Sequence, residues 1–166
     1  MKWDELGLEQ CAIARFLAVL GDRWTLLILS DCFLGVRRFE TFQERLGISR
    51  TILTQRLAEL VDNGVLERVV YRERPRRHEY RLTRKGIDLQ PVILAMSQWA
   101  NLHYADEGGA PILFEHDRCG HDFTPEPRCS HCGEPVPARE VTARTRAPIA
   151  GLPPVRRGPV QEGRSR

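Results

Sequence analysis

Two apolar stripes of helical period stand on either side of one dipeptide, Gly47-Ile48, and that spacing constrains the fold more than any other feature of the chain. On the N-terminal side Phe39, Phe42 and Leu46 recur at the spacing that gathers side chains on one helix face. On the other side Ser49 can cap a helix whose stripe is Leu53, Leu57, Leu60 and Val61, closed by Asn63-Gly64. Two helices joined by so tight a turn are a helix-turn-helix candidate.

Upstream, Ala12, Ile13, Phe16, Leu17 and Leu20 share a helical face that Gly21 ends. Asp22 is placed to cap a second helix carrying Trp24, Leu27 and Ile28 and ending between Cys32 and Gly35. After Gly64 the apolar period changes to two. Leu66 to Tyr71 and Glu79 to Leu82 read as strands, the second with Tyr80 and Leu82 inward, and the arginine-rich stretch around Pro75 reads as the loop of a hairpin. Thr83 then caps a long last helix with an apolar face of Leu89, Val92, Ile93, Met96, Trp99, Ala100 and His103. Pro91 lacks a backbone donor and predicts a kink or a late start there. Four helices, a hairpin and a long helix predict a mainly α (α+β) fold, a winged helix-turn-helix domain for DNA binding and dimerisation over residues 1–105.

The net charge of the 166 residues is only +3, but it is unevenly spread. Glu67 to Lys85 holds eight basic residues against three acidic ones, whereas residues 1–47 hold six basic and seven acidic. A basic block inside an ordered element is the footprint of a phosphate-binding surface. Arg72, Arg74, Arg76 and Arg77 surround Pro75 at the hairpin tip, within reach of DNA phosphates or a narrow minor groove. On the fourth helix, Leu53, Leu57 and Leu60 facing inward turn Thr51 and Gln55 outward and leave Ser49, Arg50 and Thr54 beside the helix start. Gln reads adenine and Arg reads guanine through paired hydrogen bonds, while Ser and Thr more often hold phosphate. Arg56 lies nearer the core boundary, where a phosphate contact and a local ion pair with Glu59 or Glu40 fit about equally. A plain amphipathic helix and a solvated basic loop are the bland alternatives. Finding the two in succession favours double-stranded DNA as the partner.

At Asp106 the character changes, through Glu107-Gly108-Gly109-Ala110-Pro111, into a segment (106–136) that holds three of the five cysteines. His116-Asp117-Arg118-Cys119-Gly120 and Cys129-Ser130-His131-Cys132-Gly133 share one form: ligand, two residues, cysteine, glycine. Each can be a knuckle whose two ligands converge on one ion. Together they predict a closed structural zinc site of His116, Cys119, Cys129 and Cys132, with the nine residues between the knuckles forming a short hairpin and with His121 and His131 as competing ligands. The alternative is that the thiols pack or stay free. A segment this short holds no core of its own, which favours the metal. A thioredoxin-like use of Cys129 and Cys132 would need a βαβ setting that the sequence lacks. Residues 137–166, with five prolines, seven arginines and only two acidic residues, read as a disordered basic tail.

No apolar run approaches the roughly 18 residues of a membrane span. The N-terminus lacks a basic start and apolar stretch of a secretory signal, so the expected location is the cytoplasm, on the nucleoid. In that reducing compartment an odd, clustered set of cysteines suggests metal or redox chemistry more than a disulfide framework. No Ser/His/Asp or Cys/His pair stands at an interpretable spacing, and no enzymatic activity is expected.

Cys11 through Leu20, Gly21-Asp22-Arg23-Trp24-Thr25-Leu26-Leu27-Ile28-Leu29, Arg38-Phe39, Gly47-Ile48-Ser49, Leu53-Thr54-Gln55-Arg56-Leu57 and Glu79-Tyr80-Arg81-Leu82-Thr83 carry a further message. With Gly64-Val65-Leu66, Tyr71, Pro75, Gly86 and Trp99, they make the chain resemble the HxlR-type regulators over about residues 9–103. That resemblance implies a homodimeric bacterial transcription regulator, held together by its first and last helices and acting on operator DNA; the expected role is that of a repressor. It matches Arg56 to a position that the family keeps as arginine. Some members sense oxidants or electrophiles through a cysteine near helix one, so Cys11 has two readings: a sensor thiol at a helix N-terminus, or a small buried residue at the dimer interface. Cys32 reads as core, His103 as a helix-face residue and His78 as part of the wing's strand. Two half-sites about one helical turn apart, or a multiple of that, and a steep salt dependence are expected of such a regulator. The competing function is a winged-helix and zinc-knuckle module that docks its basic wing on an acidic protein.

Overall fold

The computed structural model describes residues 11–142, in two compact units that divide between Pro111 and Ile112. The first contains helices α1 (Ala12–Leu20), α2 (Arg23–Phe33), α3 (Phe39–Leu46) and α4 (Arg50–Asp62), strands β1 (Leu66–Glu73) and β2 (Arg76–Leu82), and helices α5 (Arg84–Ile87) and α6 (Gln90–Tyr104). The second contains the two-residue strands β3 (Glu115–His116) and β4 (His121–Asp122). The basic tail expected over 137–166 lies mostly outside the described residues; its described part includes a 3-10 turn, Ala138–Glu140.

Local chemistry sets the helix ends. Asp22 Oδ1 accepts from the amides of Trp24 and Thr25 at 2.9 and 3.4 Å and starts α2. Gly47 ends α3 with a φ of 61°, a left-handed conformation that a side chain would strain. Ser49 Oγ accepts from the Ile52 amide at 3.3 Å and starts α4. At the far end of α4, Lys85 Nζ donates to the Asn63 carbonyl at 2.8 Å and Thr83 Oγ1 donates to the Gly64 carbonyl at 2.7 Å. Carbonyls that leave the helix unpaired are thus satisfied by residues that follow the hairpin. Ile28 and Leu29 of α2, Phe42 of α3 and Leu53 and Leu57 of α4 are fully buried against one another. At about 1.5–3 kcal/mol for each such side chain, this cluster is what fixes α4 on α2 and α3.

The hairpin is longer than its sequence suggests. β1 and β2 pair antiparallel from Leu66 opposite Leu82 to Glu73 opposite Arg76, so Arg72, Arg76 and Arg77 lie in strands and only Arg74-Pro75 turns the chain. The register shifts between Val70 and Arg72, leaving Tyr71 as a bulge. On β2 the most buried side chain is Glu79 rather than Tyr80 or Leu82. Its carboxylate accepts from Arg81 Nε at 2.6 Å, which offsets the cost of burying the charge. The Tyr80 amide donates to the Arg37 carbonyl at 2.8 Å, so the α2–α3 connection lies along the hairpin's edge.

The expected long last helix is broken. α5 ends at Ile87 and α6 starts late, with Pro91 in its first turn. α1 buries only Ala14 and Leu20, and α6 only Ile93. Ile13, Leu17, Val92, Met96 and Trp99, members of the apolar stripes expected on the first and last helices, are exposed. Among the described residues no helix is long and apolar enough to cross a membrane.

In the second unit the short hairpin forms within the first knuckle, Glu115 pairing with Asp122 and His116 with His121, rather than between the two knuckles. A second reversal closes around the other knuckle through an Arg128–Pro135 bridge. No residue from 112 to 137 is buried.

Candidate nucleic-acid interface

Helix α4 turns one face to the core and the other to solvent. Ser49, Arg50, Thr51, Thr54 and Gln55 are all exposed, while Leu53 and Leu57 are not exposed at all. The Arg50 guanidinium sits 5.1 Å from the ring centroid of Phe39, which holds it at the α3–α4 corner. Thr54 Oγ1 donates to the Arg50 carbonyl at 2.8 Å, and Gln55 Nε2 donates to Glu59 Oε1 at 3.0 Å.

Arg56, one residue further on, behaves differently. Its Nη1 lies 2.6 Å from Glu59 Oε2, and its Nε lies 3.2 Å from Asp22 Oδ1, out of line for a hydrogen bond. The side chain is only 24% exposed. Of the two roles that its position allows, the local ion pair with Glu59 is made, and the guanidinium is turned toward the start of α2 instead of toward the exposed face.

The hairpin supplies the second wall. Arg72, Arg74, Arg76 and Arg77 are exposed around the tip, and among the described residues none of them takes part in an ion pair. Arg72 Nε donates to the Arg74 carbonyl at 3.0 Å. Three of the other four cations of the basic block are engaged: Arg81 with Glu79, Arg84 with Asp88, and Lys85 with the end of α4. Between helices and hairpin runs an open cleft of about 430 Å³, lined on one side by Phe39, Arg50 and Thr54 and on the other by Arg68, Arg76, Arg77 and His78.

Arg68 and His78 are members of this cleft that the sequence does not single out as site residues. A signal exists all the same: both share strand parity with Leu66 and Leu82, which places them together on one face of the hairpin, the one that lines this cleft. Arg68 Nη2 lies 3.0 Å from His78 Nδ1. Partial burial, and then the charges of Arg68 and Arg76, hold the His78 imidazole below its ordinary pKa, with Glu73 opposing. Arg38, beside the cleft, lies 4.8 Å over the Tyr71 ring and braces the bulge.

Cys11 is exposed at the N-cap of α1, where its side chain caps nothing. Cys32 packs against the core, and burial together with the neighbouring Asp31 carboxylate pushes its thiol up to about 12. In the second unit His116 Nδ1 lies 3.4 Å from Cys119 Sγ. The backbone amides of Cys132 and His131 and the Cys132 thiol lower the pKa of Cys129. His121 Nδ1 is instead 2.6 Å from the Cys119 carbonyl oxygen. The proposed ligands therefore stand as two pairs, and among the described residues no three His, Cys, Asp or Glu side chains gather around one point.

Comparison with known proteins matches residues 19–107 to the HxlR-like helix-turn-helix family model. An uncharacterized HTH-type transcriptional regulator of Mycobacterium tuberculosis, Rv3095, is 45% identical over 131 residues, covering 79% of this chain and 83% of its own. YdeP of Bacillus subtilis, another HTH-type regulator, is 37% identical over 92 residues, 55% of this chain and 72% of its own. Among solved structures, the proposed transcription factor PA1607 matches with a TM-score of 0.73 at 34% identity, over 84% of this chain and 96% of its own. That share is larger than the first unit alone supplies. The redox regulator HypR in its oxidized form matches with a TM-score of 0.53 at 32% identity, over 56% of this chain and 97% of its own.

Proposed function

The chain belongs to the HxlR-like helix-turn-helix family of transcriptional regulators, and from that premise we propose that it is a homodimeric repressor that grips operator DNA between α4 and its arginine wing. One observation carries the reading: Arg50 and Thr54 of α4 and Arg68, Arg76 and Arg77 of the wing line one open cleft, beside which the rest of the exposed α4 face and of the wing arginines are free to reach a ligand. In this arrangement Thr51 and Gln55 read base edges in the major groove, Ser49, Arg50 and Thr54 hold phosphates at the helix start, and Arg72, Arg74, Arg76 and Arg77 follow the backbone beside it. Dimerisation uses the apolar side chains that the fold leaves outside, Ile13 and Leu17 on α1 and Val92, Met96 and Trp99 on α6, whose i, i+4, i+7 spacing makes one stripe. The protein works in the cytoplasm, on the nucleoid.

The test is binding to the duplex upstream of its own gene, followed by fluorescence anisotropy over a series of salt concentrations with unrelated duplex as competitor. Arg74→Ala/Arg76→Ala/Arg77→Ala should lower the slope of log affinity against log salt by about 0.9 for each phosphate that the wing no longer neutralises. The sedimentation coefficient should stay that of a dimer. Unchanged DNA binding in this variant removes the wing from the interface and shifts the weight to docking on an acidic protein.

A second reading, control of that binding by oxidation at Cys11, is favoured by the exposed thiol on the helix proposed to dimerise and by the likeness to a redox regulator. Peroxide treatment should weaken operator binding by the native chain and leave Cys11→Ser unaffected.

A further inference from the structure

We propose that the second unit is a zinc module in which His116, Cys119, Cys129 and Cys132 bind one Zn(II), with the two knuckles closing on the ion as it binds. The two knuckles are built alike. In the first, the amides of Cys119 and Gly120 donate to the His116 carbonyl at 3.0 and 2.9 Å; in the second, the Gly133 amide donates to the Cys129 carbonyl at 2.8 Å. Each is followed by a glycine in the left-handed region, Gly120 at φ 66° and Gly133 at φ 77°. Each sits at the tip of a chain reversal, β3–β4 for the first and, for the second, the Cys129–Glu134 and Val136–Pro127 backbone bonds of 2.9 Å. Two hairpin-tip knuckles of this kind are the ligand frame of a zinc ribbon.

The spacing inside each pair already suits an ion. Zn–N and Zn–S bonds of about 2.05 and 2.3 Å at a tetrahedral angle place the two ligand atoms roughly 3.5 Å apart. His116 Nδ1 and Cys119 Sγ are 3.4 Å apart. Among the three candidate histidines this favours His116, whose ring nitrogen already stands beside a cysteine sulfur.

The unit also needs such a centre. None of residues 112–137 is buried, and Leu113 is 67% exposed. Tight turns with no apolar core are stabilised in small modules by a metal or by cross-links. Binding forms three Zn–S bonds and one Zn–N bond and releases the three thiol protons to solvent, with no oxidant or reductant required. A closed set of four protein ligands leaves no open position, so the role is structural.

The experiment uses the full chain, purified under reductant with added zinc, then desalted. Elemental analysis should return one zinc per chain, and Co(II) exchanged into the protein should show thiolate charge transfer and the intense d–d bands of a tetrahedral site. Cys119→Ser, Cys129→Ser and Cys132→Ser should each weaken the metal roughly 100-fold or more against a chromophoric chelator. His116→Ala should do the same and His121→Ala should not. If the substituted chains fail to fold, alkylation of the native chain decides: zinc should protect Cys119, Cys129 and Cys132, and a chelator should expose them while Cys11 reacts in both states. No retained metal and no cobalt spectrum overturns the proposal, as does isolation of a Cys129–Cys132 disulfide; loss of metal in His121→Ala with retention in His116→Ala overturns the ligand assignment. None of these readouts depends on DNA binding.

Discussion

Arg45 donates to both carboxylate oxygens of Asp31, from Nε at 3.1 Å and from Nη2 at 3.0 Å, and so ties the last turn of α3 to α2. The two ends of this pair live in different surroundings: the Asp31 side chain is 7% exposed and that of Arg45 is 50% exposed. The expected consequence is an asymmetry. Arg45→Ala strands a carboxylate in the interior, whereas Asp31→Ala returns a guanidinium to water. Urea denaturation should give Arg45→Ala the lower midpoint of the two. Equal midpoints would show that Asp31 is solvated once its partner is gone.

Adjacent residues on α4 should separate affinity from stability. Gln55→Ala should reduce discrimination at one base position by about 1–3 kcal/mol and leave binding to unrelated DNA unchanged. Arg56→Ala should instead cost about 1–2 kcal/mol of folding stability by removing its pairs with Asp22 and Glu59, with the salt slope of DNA binding intact. A titration against a library of single-base variants, alongside thermal melts, distinguishes the two; a lower salt slope in Arg56→Ala would place that side chain on phosphate.

His78 should make operator binding depend on pH. The free protein holds its imidazole below the ordinary pKa through burial and the charges of Arg68 and Arg76. DNA phosphates entering the cleft relieve that repulsion and raise the pKa in the complex, so binding takes up a proton. Affinity then rises as pH falls through the value in the complex and levels off below the value in the free protein. In the free protein the sign is opposite: the fold loses stability as pH falls from the ordinary imidazole value toward the lowered one. His78→Gln should flatten both profiles, read by anisotropy and by thermal melting.

Cys32 and Cys11 should differ as thiols. With its pKa pushed up to about 12, Cys32 stays protonated and unreactive in the folded protein, while the exposed Cys11 alkylates. Because the folded pKa lies above the ordinary 9.0, the stability that Cys32 contributes is fully present below 9.0 and is lost as pH rises from there toward 12. Peptide mapping after iodoacetamide treatment checks the first statement. Alkaline denaturation of Cys32→Ala, which should lose stability less steeply than the native chain, checks the second.

What is legible in the sequence is local. Asp22, Gly47, Ser49 and Thr83 act through their own side chains or backbone on main-chain groups a few residues away, so the helix ends can be read from single positions. Long-range packing hides the rest. Shortly before the break between α5 and α6, Gly86 is buried where an added Cβ would strike the Val65 carbonyl oxygen, a neighbour twenty-one positions away in sequence. The stripe on α1 is plain in the sequence, but periodicity states only that Ile13 and Leu17 share a face, not that their own unit covers them. Gln55 and Arg56 are both polar and adjacent; the leucine stripe tells the outward side chain from the one near the core boundary, but the facing of Arg56 toward Asp22 is a long-range contact that the sequence does not show.

Asp22 Oδ1 receives the first amides of α2 and also faces Arg56 from the middle of α4, so one oxygen atom is the shared pivot of two helices. One residue before it, Gly21 ends α1, the helix that carries part of the free apolar face. In the dimer proposed above, a displacement of α1 would reach α4 by way of the α1–α2 corner and this one carboxylate.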